Sequence, residues 1–93
     1  MVVGLCTVEL LISGSRSLKD KRKVLHSLKD RLHGAFNLSV AEVEEQDLWQ
    51  KAVLGIACVA DEGRHVNQVL ERVLNVIRSM PAVEVVRSQL ELL

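Results

Sequence analysis

Val2-Val3-Gly4-Leu5-Cys6-Thr7-Val8-Glu9-Leu10-Leu11-Ile12 runs through Ser13-Gly14-Ser15-Arg16-Ser17 into Leu18-Lys19-Asp20-Lys21-Arg22-Lys23-Val24-Leu25, and the change of period along this stretch decides the fold. Residues 2–12 are apolar and rich in β-branched side chains with a period near two, which specifies a long strand; Glu9 alone puts a carboxylate on one face. Ser13 to Arg16 is turn chemistry. Ser17 with Asp20 three residues on forms a capping-box variant, Asp replacing the usual Glu or Gln. From there Leu18, Leu25, Leu28, Leu32 and Phe36 recur at helical spacing. The spacing predicts a helix from about residue 18 to about residue 33, with Gly34 as its stop.

The pattern repeats downstream. Leu38 to Val43 alternates as a short strand, residues 44–47 form a polar connection, and Gln50 to Ala60 reads as a second long strand. Asp61 is placed to cap a second helix, whose stripe is Val66, Val69, Leu70, Val73, Leu74, Ile77 and Met80, with Pro81 ending it. Val83 to Leu92 reads as the last strand. The order strand, helix, strand, strand, helix, strand, with right-handed crossovers, leaves few arrangements. The favoured one is a single α+β domain over residues 1–93 of the ferredoxin-like, split βαβ (βαββαβ) kind. Its four-stranded antiparallel sheet has order 4-1-3-2 and both helices on one face.

Composition narrows the function classes. The chain has 93 residues, 48% hydrophobic and 26% charged, enough for one aliphatic core and too apolar for a disordered chain. Twelve basic and twelve acidic side chains cancel, so no global field draws in nucleic acid or membrane. No apolar run is long enough to span a bilayer, and Met1 to Gly4 lacks the basic start of a signal peptide. The chain is therefore expected in the cytosol (cytoplasmic), away from membranes, with Cys6 and Cys58 reduced. Those cysteines match no metal spacing. His26 and His33 lie two helical turns apart, about 10 Å, too far to share an ion. No cofactor or metal is implied, and no P-loop, catalytic carboxylate pair or Ser/His/Asp spacing is present.

Two surfaces remain as candidates. Residues 16–31 hold seven cations against Asp20 and Asp30. Arg16, Ser17, Lys19, Lys21, Arg22 and Lys23 are the candidate anion- or RNA-binding set, with helix N–H groups after Ser17 completing a phosphate site. The competing reading is neutralisation by Glu42, Glu44, Glu45 and Asp47 at the same end of the fold. Lys21 falls on the apolar meridian of its helix, and can either reach past the sheet edge or find a partner in that acidic connection. The second surface is the sheet face opposite the helices. There Leu5, Val53, Ala57 and Val59, with Trp49 at its end, form an apolar patch suited to a homodimer or another protein. That face carries no aromatic inside its two central strands, which argues against base stacking of the RNA-recognition-motif type.

Acylphosphatases share this element order, and Arg16 and Asn37 occupy regions comparable to their phosphate-binding residues. Ser13 to Ser17 lacks their longer glycine-rich loop, so no enzyme is expected. The run from Ser13 to Leu25, the run from Phe36 to Val43 and Gln46-Asp47-Leu48-Trp49-Gln50 together resemble the YlxP-like family of small bacterial proteins of unknown function. The resemblance covers essentially the whole chain and implies a ferredoxin-like fold. It implies no activity. Members are often encoded near translation-initiation and ribosome-maturation genes, so the resemblance also implies RNA or the ribosome as a candidate partner of a non-enzymatic accessory protein.

Overall fold

A computed structural model describes residues 1–93, in the order β1 (Val2–Ile12), α1 (Leu18–Ala35), β2 (Ser39–Glu44), β3 (Lys51–Ala60), α2 (Gly63–Arg78) and β4 (Val83–Leu92). The sheet order is β2-β3-β1-β4 with every neighbouring pair antiparallel. This is the expected 4-1-3-2 order read from the other edge, and the architecture is ferredoxin-like α+β. None of its helices is long and apolar enough to cross a membrane.

The period-two reading of β1 and β3 translates directly into burial. Cys6, Val8, Leu10 and Ile12 from β1, with Ala52, Leu54, Ile56 and Cys58 from β3, face the helices and are buried. Leu25, Leu28 and Leu32 of α1 and Val66, Leu70, Val73, Leu74 and Ile77 of α2 close over them. Gly4 is where α2 comes nearest the sheet. A Cβ there would collide with a Cγ of Val66 and sit 3.0 Å from a Cδ of Leu70, so the absent side chain sets the height of α2 over β1.

Element ends differ from the sequence reading in five places, one of them the start of β3, which opens at Lys51 rather than Gln50. Gly34 does not stop α1. Its backbone stays out of the left-handed region, and the helix continues to Ala35. The stop is Phe36, which is extended, donates its N–H to Leu32 O and packs its ring on the core under Arg72. Apolar anchoring thus ends the helix where glycine was expected to. Asp61 does not cap α2; the N-cap is Glu62, with no side-chain cap bond. β2 lies one residue later than expected, at 39–44. Met80 lies past the end of α2 yet is still buried.

Candidate functional site

The β1–α1 loop, the first turn of α1 and the β2–β3 connection meet at one end of the domain. Gln50 ties them through the backbone: its carbonyl accepts the Ile12 N–H at 2.8 Å, and its Nε2 donates to Ser15 O at 3.0 Å. Lys21 ties them through its charge. It is only 1% exposed, and its ammonium contacts Glu42 Oε2 at 2.6 Å, Glu45 O at 2.7 Å and Leu48 O at 2.7 Å. Two of its three N–H donors go to the backbone carbonyls, and its charge is paired with the Glu42 carboxylate. Glu42 Oε2 is buried and has no partner other than this ammonium. The lysine therefore points into the connection rather than past the sheet edge.

This arrangement explains the shape of residues 45–48. Glu45 holds a left-handed backbone, φ 64°, which costs an L-residue about 1 kcal/mol or more. That twist turns Glu45 O back so that it accepts both the Lys21 ammonium and the Leu48 N–H at 3.1 Å. Lys21 is a clasp, and it leaves the candidate anion-binding set.

The helix start is partly capped by its own side chains. Ser17 Oγ accepts the Asp20 N–H at 3.0 Å, and Asp20 Oδ2 accepts the Arg16 N–H at 3.0 Å. The Asp20 carboxylate, in the first turn and favoured by the helix dipole, thus ties the loop residue before the cap to the helix. Ser17 is a cap whose Oγ already accepts a helix N–H. What survives of the set is Arg16, Lys19, Arg22 and Lys23. All four are exposed, and none lies within ion-pair distance of a carboxylate. No carboxylate of the acidic connection forms a direct ion pair with them: Glu42 pairs with Lys21, and the charge of Glu45 favours the charged form of Lys51.

The open face of the sheet is divided. Glu9 and Lys51 form an ion pair across it at 2.9 Å. The Lys51 hydrogen bond, with Arg87 nearby, holds the Glu9 carboxyl below its usual range. Val53, expected to be exposed, is 7% exposed between its register partners Glu9 and Glu44. On one side of the ion pair lies a shallow depression of about 330 Å³, floored by Leu5, Gly55 and Ala57 and walled by Val43. A register shift between Glu42 and Glu44 gives Val43 no partner, and it folds over Gly55, where a Cβ would come within 3.0 Å of it. Val59 lies beyond it, exposed. On the other side Trp49, 54% exposed, stands with Leu48 and Leu11 around a second depression. Trp49 is a surface aromatic.

The remaining chemistry is dispersed. Arg16 and Asn37 sit at opposite ends of the 18-residue α1, about 27 Å of helix apart, so the acylphosphatase-like pair does not assemble. Cys6 and Cys58 are free, buried thiols on neighbouring strands. Burial among aliphatic side chains pushes Cys6 up to about 11 and raises Cys58 in the same direction.

Comparison with known proteins agrees with the fold and assigns no chemistry. A family described as a protein of unknown function (DUF503) matches residues 3–90. The chain belongs to this family. The uncharacterized protein YlxP of Bacillus subtilis (strain 168) is 37% identical over 83 residues, which is 89% of this chain and 90% of its own. Among solved structures the de novo designed protein Ferredog-Diesel superposes with a TM-score of 0.50 at 13% identity, over 96% of this chain and 83% of its own. That likeness concerns fold alone.

Proposed function

We propose that this member of the DUF503 family is a non-enzymatic accessory protein that docks on the phosphate backbone of structured RNA, free or in a ribosomal particle. The single observation behind the proposal is that Arg16, Lys19, Arg22 and Lys23 are exposed and unpaired in a chain of zero net charge. Lys19, Arg22 and Lys23 follow one another at i, i+3 and i+4, which places them on one outer stripe of α1. Cations near a helix N-terminus oppose the dipole by a few tenths of a kcal/mol each. A polyanion lying along the stripe would offset that cost and release its counterions. The stripe offers no base-edge or stacking readout, so the recognition is of backbone and shape.

The test is retention of a structured RNA, and separately of ribosomal particles, at two salt concentrations. Binding should appear at low salt and weaken on Arg22→Glu with Lys23→Glu. No binding at low salt, or binding indifferent to that reversal, removes the proposal. The exposed Trp49 favours a second reading, in which a protein partner seats on the end of the open sheet face. In that case Trp49→Ala releases a protein and RNA never binds.

A further inference from the structure

The two edges of the sheet are treated differently. β2 is blunted in the usual ways: it is six residues long, irregular at Val43, and carries Glu42 and Glu44. β4 is ten residues long; it also carries charges and skips Val86 in its pairing with β1, but from Arg87 to Leu92 its ladder is regular, and there Leu90 and Leu92 are exposed on an unpaired edge. An edge of that kind is a template for another strand.

The ladder shows which backbone groups are free. Val3 and Leu93 exchange both bonds, Val3 N to Leu93 O at 3.1 Å and Leu93 N to Val3 O at 2.8 Å. Antiparallel pairing alternates, so Glu91, Gln89 and Arg87 turn their polar groups toward Leu5, Thr7 and Glu9 of β1. Ser88, Leu90 and Leu92 therefore present theirs outward.

We infer that β4 pairs antiparallel with β4 of a second copy, about a two-fold axis at Gln89, to make one continuous eight-stranded sheet. In that register Ser88 meets the partner's Leu90 as a hydrogen-bonded pair, and the reciprocal pair forms by symmetry. Arg87 meets the partner's Glu91 at a position without backbone bonds, where opposing side chains are closest. The two-fold axis makes this ion pair twice from one complementary match. Moving the axis one residue toward the C-terminus sets Gln89 against the partner's Glu91, and one further sets Glu91 against itself. Of these three registers, only the axis at Gln89 joins opposite charges. It also fills space. A groove of about 490 Å³ between α2 and β4 is lined by Glu71, Leu74, Asn75, Arg78, Ser88 and Leu90. Ser88 is the small side chain in it, and the partner's Leu90 arrives directly beside it. Arg87 then stands between Glu9 of its own sheet face, whose charged form it already favours, and the partner's Glu91.

The experiment combines sedimentation equilibrium with cross-linking. At a concentration on the order of 100 μM, well above a micromolar Kd, the native chain should sediment as a dimer. Arg87→Glu should weaken association about tenfold or more, and adding Glu91→Arg should restore it, because cross-strand like charges repel and opposite charges attract. Gln89→Cys should form an intermolecular disulfide under mild oxidation, since paired Cα atoms at such a site are about 4.5 Å apart; Glu84→Cys, away from the axis, should not. A monomer at that concentration overturns the inference. So does a dimer that ignores Arg87→Glu and leaves the Gln89→Cys variant unlinked, which would move the contact to the open sheet face.

Discussion

Replacing Lys21 with methionine keeps most of the buried stem and deletes the ammonium. Glu42 then loses its only partner for Oε2, in a side chain that is 20% exposed. Leu48 O is left bare, whereas Glu45 O keeps the Leu48 N–H. Breaking a buried ion pair by removing one member costs about 3–5 kcal/mol. Glu42 retains some water, and methionine gains a little packing, so the lower end applies: about 3 kcal/mol. For a domain of this size that is a fall in Tm of roughly 12–20 °C. Urea denaturation of Lys21→Met, Glu42→Leu and the double variant measures it. The double variant should recover about half of the loss or more, because the buried carboxylate is gone with its partner and only one carbonyl remains unpaired. A Lys21→Met cost below about 1 kcal/mol would refute the clasp, since it would mean that desolvation cancels everything the ammonium gains.

Gly4→Ala should destabilise by about 2–3 kcal/mol, because Val66 must move and α2 with it, and thermal unfolding reads this directly. Glu45→Gly relieves the left-handed backbone at φ 64° but adds freedom to the unfolded chain, so stability should change by less than about 1 kcal/mol in either direction. A larger loss would mean that the Glu45 side chain itself holds the connection. Cys6, pushed up to about 11 by burial from its ordinary value of 9.0, stays protonated in the fold while the unfolded thiol ionises. The unfolded state then binds fewer protons, so stability is intact below about pH 9 and falls between about pH 9 and 11, by less than about 3 kcal/mol. Equilibrium unfolding at about pH 8 and about pH 10.5, with Cys6→Ala as reference, isolates that contribution.

Much of this was legible in the chain. A period near two in β1 and β3 sorts their residues into two faces, and the few polar residues (Thr7, Glu9, Lys51) mark the face that stays open. The bounds of β4 follow from its own pattern. Lys21 was visible as a charge on an apolar meridian, and topology offered the acidic connection as one of its possible destinations, but only the packed geometry selects Glu42 and the two carbonyls. Local pattern could not show the irregularities at Val43 and between Glu9 and Leu10, which depend on two strands at once. The extra residue at Val43 and the Glu9–Lys51 ion pair break up a face that reads as continuous when each strand is taken alone. The capping of α1 was half legible: the Ser17–Asp20 spacing was plain, but not that the Asp20 carboxylate would turn to the Arg16 N–H. Phe36 as a helix stop was hidden because nothing local outranks a glycine until the ring finds its packing site.

The most direct test of the proposed function is the salt dependence of structured-RNA binding for the native chain and for Arg22→Glu with Lys23→Glu. Four phosphate contacts from Arg16, Lys19, Arg22 and Lys23 give a slope of log K against log salt of about −3, and the reversal should remove about two units of it. Lys21→Met, measured where it remains folded, should leave the slope unchanged, because that ammonium faces Glu42. A native slope near zero, or a slope that falls with Lys21→Met and not with the double reversal, contradicts the assignment of the outer stripe of α1 as the binding surface.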